Sequence, residues 1–552
     1  MTYLLIFFSS LILTIFFTPY VISYFKKVKI VDNPGARKIH TEAIPRMGGI
    51  IIYFIVVISL FSYSSDLNSL RMVIFASTFI AICGIIDDMV GLQWTVKFFL
   101  QALSAGCLIF FLEPFFNEII LFGISFPYPF DHIVLGVFIL GVINSINLLD
   151  GMDGLASGFS LFISLIVFAI AFSVNNTFLM VLTASLVGSL LGFLKFNAFP
   201  ARIFLGDTGS LTLGFFLVLS AVLVTTDFNH GSLDLTFAVI LLGVPIVDTL
   251  KVMVVRMIER KSPFLADASH LHHIILQNNI RHKTTVFIIQ SFTLIYVGSA
   301  FYYVKYSKSI AVIAFILASL LLIFVKPLLK VILRKPAFLN SLRAITNIPE
   351  DLVSFYKKYF VPVSTIVMLI LFVSLLPGKT EIGQQIILLL IIITLLLLSI
   401  SFYQNLQTRL FSDVYVLINI LIFISLTNLS IPLITDLQVN SNIIQKTAQG
   451  SFIVLFAAII FFLLSKEKIF SEKLTLLSGI DLIMLVLISL ATIIQNFIGP
   501  IKIDFLGANL ILGFVIYLWY KIILLFNSSY TRYLFYMSFA LPLLSLLLLY
   551  FS

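Results

Sequence analysis

Apolar positions along this chain come in long unbroken runs, with neither the two-residue alternation of half-buried strands nor the narrow stripe of soluble helices. A bilayer core is crossed by about 20 apolar residues of helix. Runs of that order recur near 3–24, 48–65, 69–86, 95–113, 132–149, 155–174, 177–195, 211–227, 234–252, 285–303 and 310–326. A basic stretch, 327–359, follows. Seven further runs then lie near 360–376, 385–403, 414–434, 450–465, 478–497, 505–527 and 532–551. The connections are short, and only closed hydrogen-bonding elements survive in lipid, so the runs predict helices. The expected fold is all-α and polytopic: about 11 transmembrane helices in a core, residues 1–326, the linker 327–359, and about 7 more in a C-terminal module, 360–552.

Composition agrees. Of 552 residues, 60% are hydrophobic and 11% charged, and the mean hydropathy is +1.14; soluble domains are about one quarter charged. Cys83 and Cys107 both lie inside apolar runs and suggest no disulfide framework. The first run has no basic residue ahead of it and no small-residue cleavage site, while Lys26, Lys27 and Lys29 follow it. These features predict a retained first span with its N-terminus outside. The net charge of +9 points to loops facing membrane lipids or phosphates, and no nucleic-acid partner is expected.

With the N-terminus outside, segments 25–47, 87–94, 150–154, 196–210, 253–284 and 327–359 face the cytoplasm. They hold Arg37, Lys38, Arg46, Arg202, Arg256, Arg260, Lys261, Arg281 and Lys283, then the run from Lys326 to Lys358. Connections such as "SVNNT" and "FNHGSLD" hold no lysine or arginine. The asymmetry supports that orientation. The same parity gathers the polar clusters: "GIIDDMVGL" (Asp87, Asp88), "DGMDG" (Asp150, Asp153), "FLGDTGS" (Asp207) and "SPFLADASHLHH" (His270, His272, His273) all fall on one face.

Five carboxylates on one face raise one another's pKa unless a cation joins them. Acids beside glycines suggest a hard divalent ion, Mg²⁺, which takes one or two carboxylates and completes its shell with substrate phosphates. Gly151 and Gly154 permit close backbone approach, and a helix start favours anions; "GDTGSL" also reads as a simple helix cap. The three histidines suit phosphate contact assisted by Arg256, Arg260 and Lys261, with zinc and a plain solvated loop as the other readings. Lys97 either snorkels to the interface or faces the acids and holds a lipid phosphate. His40, His132, His230 and His282 stand apart from any cluster, and no role is expected of them.

Taken together, "DNPGARKIHTEAIPRMGG", "GIIDDMVGLQWTVK", "NSINLLDGMDGLASG", "GFLKFNAFPARIFLGDTGSLTLGF", "PIVDTLKVMVVR" and "SPFLADASHLHH" resemble, in order, the polyprenyl-phosphate N-acetylhexosamine-1-phosphate transferases. That family also contains the phospho-N-acetylmuramoyl-pentapeptide transferase. The resemblance spans residues 1 to about 326. It implies a multi-pass enzyme of the bacterial inner membrane, working on the cytoplasmic face in cell-envelope polysaccharide synthesis (O-antigen or teichoic acid). Undecaprenyl phosphate would attack the β-phosphorus of a UDP-N-acetylhexosamine, releasing UMP. It implies Mg²⁺, with Mn²⁺ as a substitute, held by Asp207 and Asn147. Asp87 and Asp88, with Asp207, would be the catalytic acids, and Lys97 the lipid-phosphate holder. Asp150, Gly151, Asp153, Gly154 and Asn197 would bind the nucleotide, and His270, His272, His273 and Arg256 the diphosphate.

The spaced "HLHH" resembles the UDP-GlcNAc-using branch more than the pentapeptide branch with its three consecutive histidines; UDP-N-acetylfucosamine is the alternative donor. An ion-coupled transporter is the rival from another class, but transporters carry mid-membrane charges and repeated halves. The C-terminal runs hold no acid or histidine cluster. A product-binding, dimer-forming (homodimer) or flippase- or ligase-like module all suit them.

Overall fold

The computed structural model describes residues 2–33, 43–63, 67–226, 232–262, 269–278 and 280–333. The seven C-terminal runs and most of the linker lie outside the described residues, as do Arg37, Lys38, His40, His230 and the "PFLADA" stretch.

The chain opens with α1 (Thr2–Lys27), a short pair β1 (Val31–Asp32) and β2 (Ile44–Pro45), then α2 (Gly49–Tyr63), α3 (Leu67–Val90) and α4 (Trp94–Leu112). Strands β3 (Glu118–Leu121) and β4 (Ile124–Phe126) precede α5 (Phe130–Leu149), α6 (Leu155–Ser173), α7 (Thr177–Asn197) and α8 (Gly206–Thr226). After β5 (Ser232–Asp234) come α9 (Leu235–Leu241), α10 (Gly243–Ile258), α11 (Leu271–Leu276), α12 (His282–Lys305), α13 (Lys308–Ile323) and α14 (Val325–Leu333).

Among the described residues each of the eleven apolar runs in the core lies mainly on helix, yet they are not eleven equal spans. Among the described residues eight helices are long and apolar enough to cross a membrane. The run at 234–252 is a broken pair, α9 and α10, bent by 86°. The two remaining runs form the shorter apolar helices Gly49–Ser62 and Lys308–Ile323. The first residues of the basic linker continue as α14.

The chain is mostly helical, as expected, and a few short strands accompany the helices. β3 pairs antiparallel with β4 and parallel with β5, and β1 pairs antiparallel with β2. These strands are two to four residues long. A pattern sought over helical lengths passes over them, and their backbone groups need partners where no helix supplies them.

The core centres on α8, whose most apolar stretch is 100% buried, with α6 at 83% and α7 at 89%, while α1, α3, α4 and α5 stand at 33–39%. Small residues let these helices touch. A Cβ at Gly188 would stand 2.3 Å from the Phe7 carbonyl oxygen, and one at Gly192 2.8 Å from Thr14 Cβ, so α7 is pressed against α1. Buried hydroxyls turn back onto their own helix: Thr14 donates to Ser10 O (2.8 Å) and Ser164 to Ser160 O (2.8 Å). These hydroxyls are thereby satisfied within their own helices, as a bilayer demands.

Up-and-down connectivity gives the bundle two unlike ends. One collects the ends of α3, α5, α7 and α10 with the starts of α4, α6, α8 and α12. The other holds the three-stranded sheet, where Asp234 caps α9 through Thr236 N (3.1 Å) and accepts from Tyr303 Oη (2.7 Å) and Lys308 Nζ (3.2 Å).

Candidate active site

At the first of these ends α3 brings Asp87 and Asp88 in its last turn, and α4 brings Lys97 in its first. The chain reverses between them through Gly91, at φ +73°, with Leu92 N donating to Asp87 Oδ1 (2.7 Å). This reversal aims Lys97 at the acids. Its Nζ donates to Asp87 Oδ2 (2.6 Å) and to Asp207 Oδ1 (2.7 Å). Of the two orientations open to Lys97 in the sequence, the acid-facing one is found. Its side chain is only 19% exposed, so one ammonium joins two carboxylates away from bulk water, where Coulomb attraction is strong.

The adjacent acids divide. Asp87 meets the lysine, whereas Asp88 is taken up by the start of α8. Its Oδ1 accepts from Asp207 N (3.0 Å), and its Oδ2 from Thr208 N (2.9 Å) and Thr208 Oγ1 (2.7 Å). A carboxylate placed on the free N–H groups of a helix start is favoured by both hydrogen bonding and the helix dipole. Asp88 therefore fixes Asp207 from below. Gly206, at φ +74°, makes room: a Cβ there would fall 2.6 Å from Asp88 Oδ2. Gly48 N to Phe204 O and Gly49 N to Leu205 O (both 2.9 Å) brace the same loop.

Asn147, in the last turn of α5, accepts from Ser210 Oγ (2.6 Å), which ties α5 to α8 beside Asp207. Asp150 ends that helix. Burial lifts its carboxyl well above the usual range, and the charges of Asp207, Asp88 and Asp153 add to this. Asp153 Oδ2 accepts from Ala201 N (2.9 Å). Asn197, 3% exposed, acts as scaffold for the turn: its Oδ1 accepts from Gly154 N (3.2 Å) and Ser157 Oγ (2.7 Å), and its Nδ2 donates to Ile203 O (3.0 Å). The Gly154 N–H is thus already paired inside the protein.

The histidine motif docks on this turn. A Cβ at Gly151 would meet His272 Nε2 at 2.3 Å, so the imidazole rests on the glycine itself. Burial pushes His272 down to about 3, helped by His273, His270 and His282; it is a neutral ring at physiological pH. His273 lies against it at 4.2 Å between ring centroids. His270 Nδ1 meets Asp248 Oδ2 at 3.0 Å, and Asp248 Oδ1 accepts from Leu271 N (2.9 Å). Arg256, 6% exposed, lies about two turns beyond Asp248 along α10.

Two groups escaped the sequence analysis. Asp248 sits inside the quoted "PIVDTLKVMVVR" but carries no spacing signal toward a histidine 22 residues on. His282, of which no role was expected, stacks on Phe199 (centroids 4.4 Å, planes 27° apart) and stands beside Asp153.

The donors near Asp207 are oxygens: Asp207 itself, Asp87 and the Asn147 amide. Among the described residues no three His, Cys, Asp or Glu side chains converge as a metal cage. A hard cation held by one or two carboxylates and finished by phosphate oxygens fits this set, whereas a closed zinc site does not.

Residues 70–225 match the family model for glycosyl transferase family 4. The chain is 33% identical over 302 residues to the probable undecaprenyl-phosphate N-acetylglucosaminyl 1-phosphate transferase of Bacillus subtilis, covering 53% of this chain and 83% of that protein. To the undecaprenyl-phosphate alpha-N-acetylglucosaminyl 1-phosphate transferase of Thermotoga maritima it is 30% identical over 293 residues, 52% and 89% of the two chains. To the phospho-N-acetylmuramoyl-pentapeptide-transferase of Vesicomyosocius okutanii it is 34% identical over 313 residues, 49% and 82%.

Proposed function

We propose the following reaction for this chain, which belongs to glycosyl transferase family 4. It moves an N-acetylhexosamine 1-phosphate, with GlcNAc 1-phosphate the first choice, from a UDP-sugar to undecaprenyl phosphate. A phosphate oxygen of the lipid forms the new bond to the β-phosphorus of the donor. The bond from that phosphorus to the α-phosphate oxygen breaks, and UMP leaves with the electron pair. The work takes place at the cytoplasmic end of the bundle.

The observation that carries this reading is Lys97, held between Asp87 and Asp207 where three helix ends meet. Phosphoryl transfer asks little covalent chemistry of a protein. It asks for in-line positioning and neutralised charge. Lys97 supplies a cation for the lipid phosphate, and Asp87 orients it. Asp88 holds Asp207 in place through α8. The turn Gly151–Gly154 reads the base, and His272 and His270 donate toward the diphosphate, His272 as a neutral ring. Mg²⁺ would be held by Asp207 and Asn147, supplying charge neutralisation for the phosphates.

The test is UMP release by the full-length protein in detergent, given undecaprenyl phosphate, Mg²⁺ and a panel of UDP-N-acetylhexosamines. Turnover with one donor is expected, dependent on Mg²⁺. Asp207→Asn and Lys97→Ala should each lose about 10²–10³-fold in rate, the usual loss when one preorganised charge-stabilising group is removed. Folded protein that releases no UMP from any donor would refute the proposal.

A further inference from the structure

His282 begins α12, far in sequence from the turn it touches. Its ring stacks on Phe199 at 4.4 Å, and Phe199 leads into Ala201, whose N–H holds the Asp153 carboxylate. The imidazole stands beside Asp153, within reach of its main chain. Neither ring nitrogen is open to solvent, and neither closes a hydrogen bond of good geometry. A buried imidazole left in that state is destabilising until a partner reaches it. His272 abuts Gly151 of the same turn. The turn is therefore held by two imidazoles, and the contact of His282 is left unfinished.

We propose that His282 is a positioning residue for the donor nucleotide, acting through the Asp153 turn. With Phe199 it forms a wedge behind Asp153, and its idle nitrogen completes a hydrogen bond to that main chain when a uracil base settles on the turn. Base binding and the His282 contact then support each other. The idea rests on the proposed function, since it takes the turn to be the part that reads the base.

Full-length protein in detergent is titrated with UMP by calorimetry, and steady-state kinetics are run with UDP-GlcNAc and undecaprenyl phosphate. For His282→Ala, UMP affinity should fall and the KM for the UDP-sugar should rise, each about tenfold, as for one lost hydrogen bond. The KM for the lipid should stay unchanged. His282→Gln, which keeps a donor and an acceptor at similar reach, should recover most of the loss. Unchanged UMP affinity in His282→Ala overturns the inference. So does an equal rise in both KM values with a lowered unfolding midpoint, the mark of a merely structural histidine. A wild-type protein that binds no UMP at all would instead remove the proposed function, and this inference with it.

Discussion

His272 shows how one buried ring couples the site to pH. Burial first, then the neighbouring imidazoles, takes its pKa from 6.5 down to about 3. A histidine kept neutral by folding contributes stability that is full above its unfolded value and lost as pH falls through the window between the two. The unfolding midpoint in detergent should therefore drop from pH 7 to pH 5, before most carboxylates take up protons. His272→Gln should flatten that drop, and an identical acid limb in the variant would count against the assignment. Asp150 works in the opposite sense. Its raised pKa means that its contribution is present below 3.8 and lost as pH rises through the folded value. At this scale the sequence already displayed the acids, the lysine and the three histidines as types of chemistry. It did not show that Asp88 would be spent on the α8 start, because that depends on which free N–H groups arrive opposite it. Nor did it show Asp248 or His282, since each meets its partner only after α10 and α12 fold back on the bundle.

Between elements, the described glycine with the least room is at the crossing of α2 and α8. A Cβ at Gly49 would lie 1.9 Å from Gly209 Cα and 2.3 Å from its nitrogen. These are backbone atoms and cannot swing aside as a side chain would. Gly49→Ala should thus force the two helices apart, at about 1–3 kcal/mol or more for an overpacked contact. Because the same crossing carries the Gly49 N to Leu205 O bond ahead of Asp207, activity should fall with the unfolding midpoint. Gly106→Ala in α4, with nothing within 4 Å, is the matched control and should leave both intact; equal melting of the two variants would refute the argument. The helices themselves were legible, since long apolar runs have few other solutions in lipid. The break in the 234–252 run was not. Hydropathy counts residues and says nothing of direction, so an 86° bend between Leu241 and Gly243 leaves it unchanged. The hairpin of β3 and β4 was hidden for a different reason. Its two-residue turn is Phe122–Gly123, both at positive φ, and the phenylalanine replaces the asparagine or aspartate that usually announces such a turn.

For the whole molecule, the division into two ends turns a charge pattern into geometry. The acids, Lys97, the Gly151–Gly154 turn and α11 occupy one end, while the sheet and the Asp234–Lys308 contact occupy the other. Under the proposed function the first end must face the cytoplasm, where nucleotide sugars are made, and the basic loops agree. Two exposed lysines report on this directly: Lys261, just past α10 on the site end, and Lys308, at the start of α13 on the sheet end, each with 61% of its side chain exposed. Lys261→Cys and Lys308→Cys would be treated in intact cells with a membrane-impermeant maleimide, using the unmodified chain as background, because Cys83 is buried and Cys107 half-buried. Lys308→Cys should label at once. Lys261→Cys should label only after the cells are opened, since it shares its end with the reaction. The reverse pattern would put the acids on the outer face, away from any UDP-sugar, and the proposed reaction would fail.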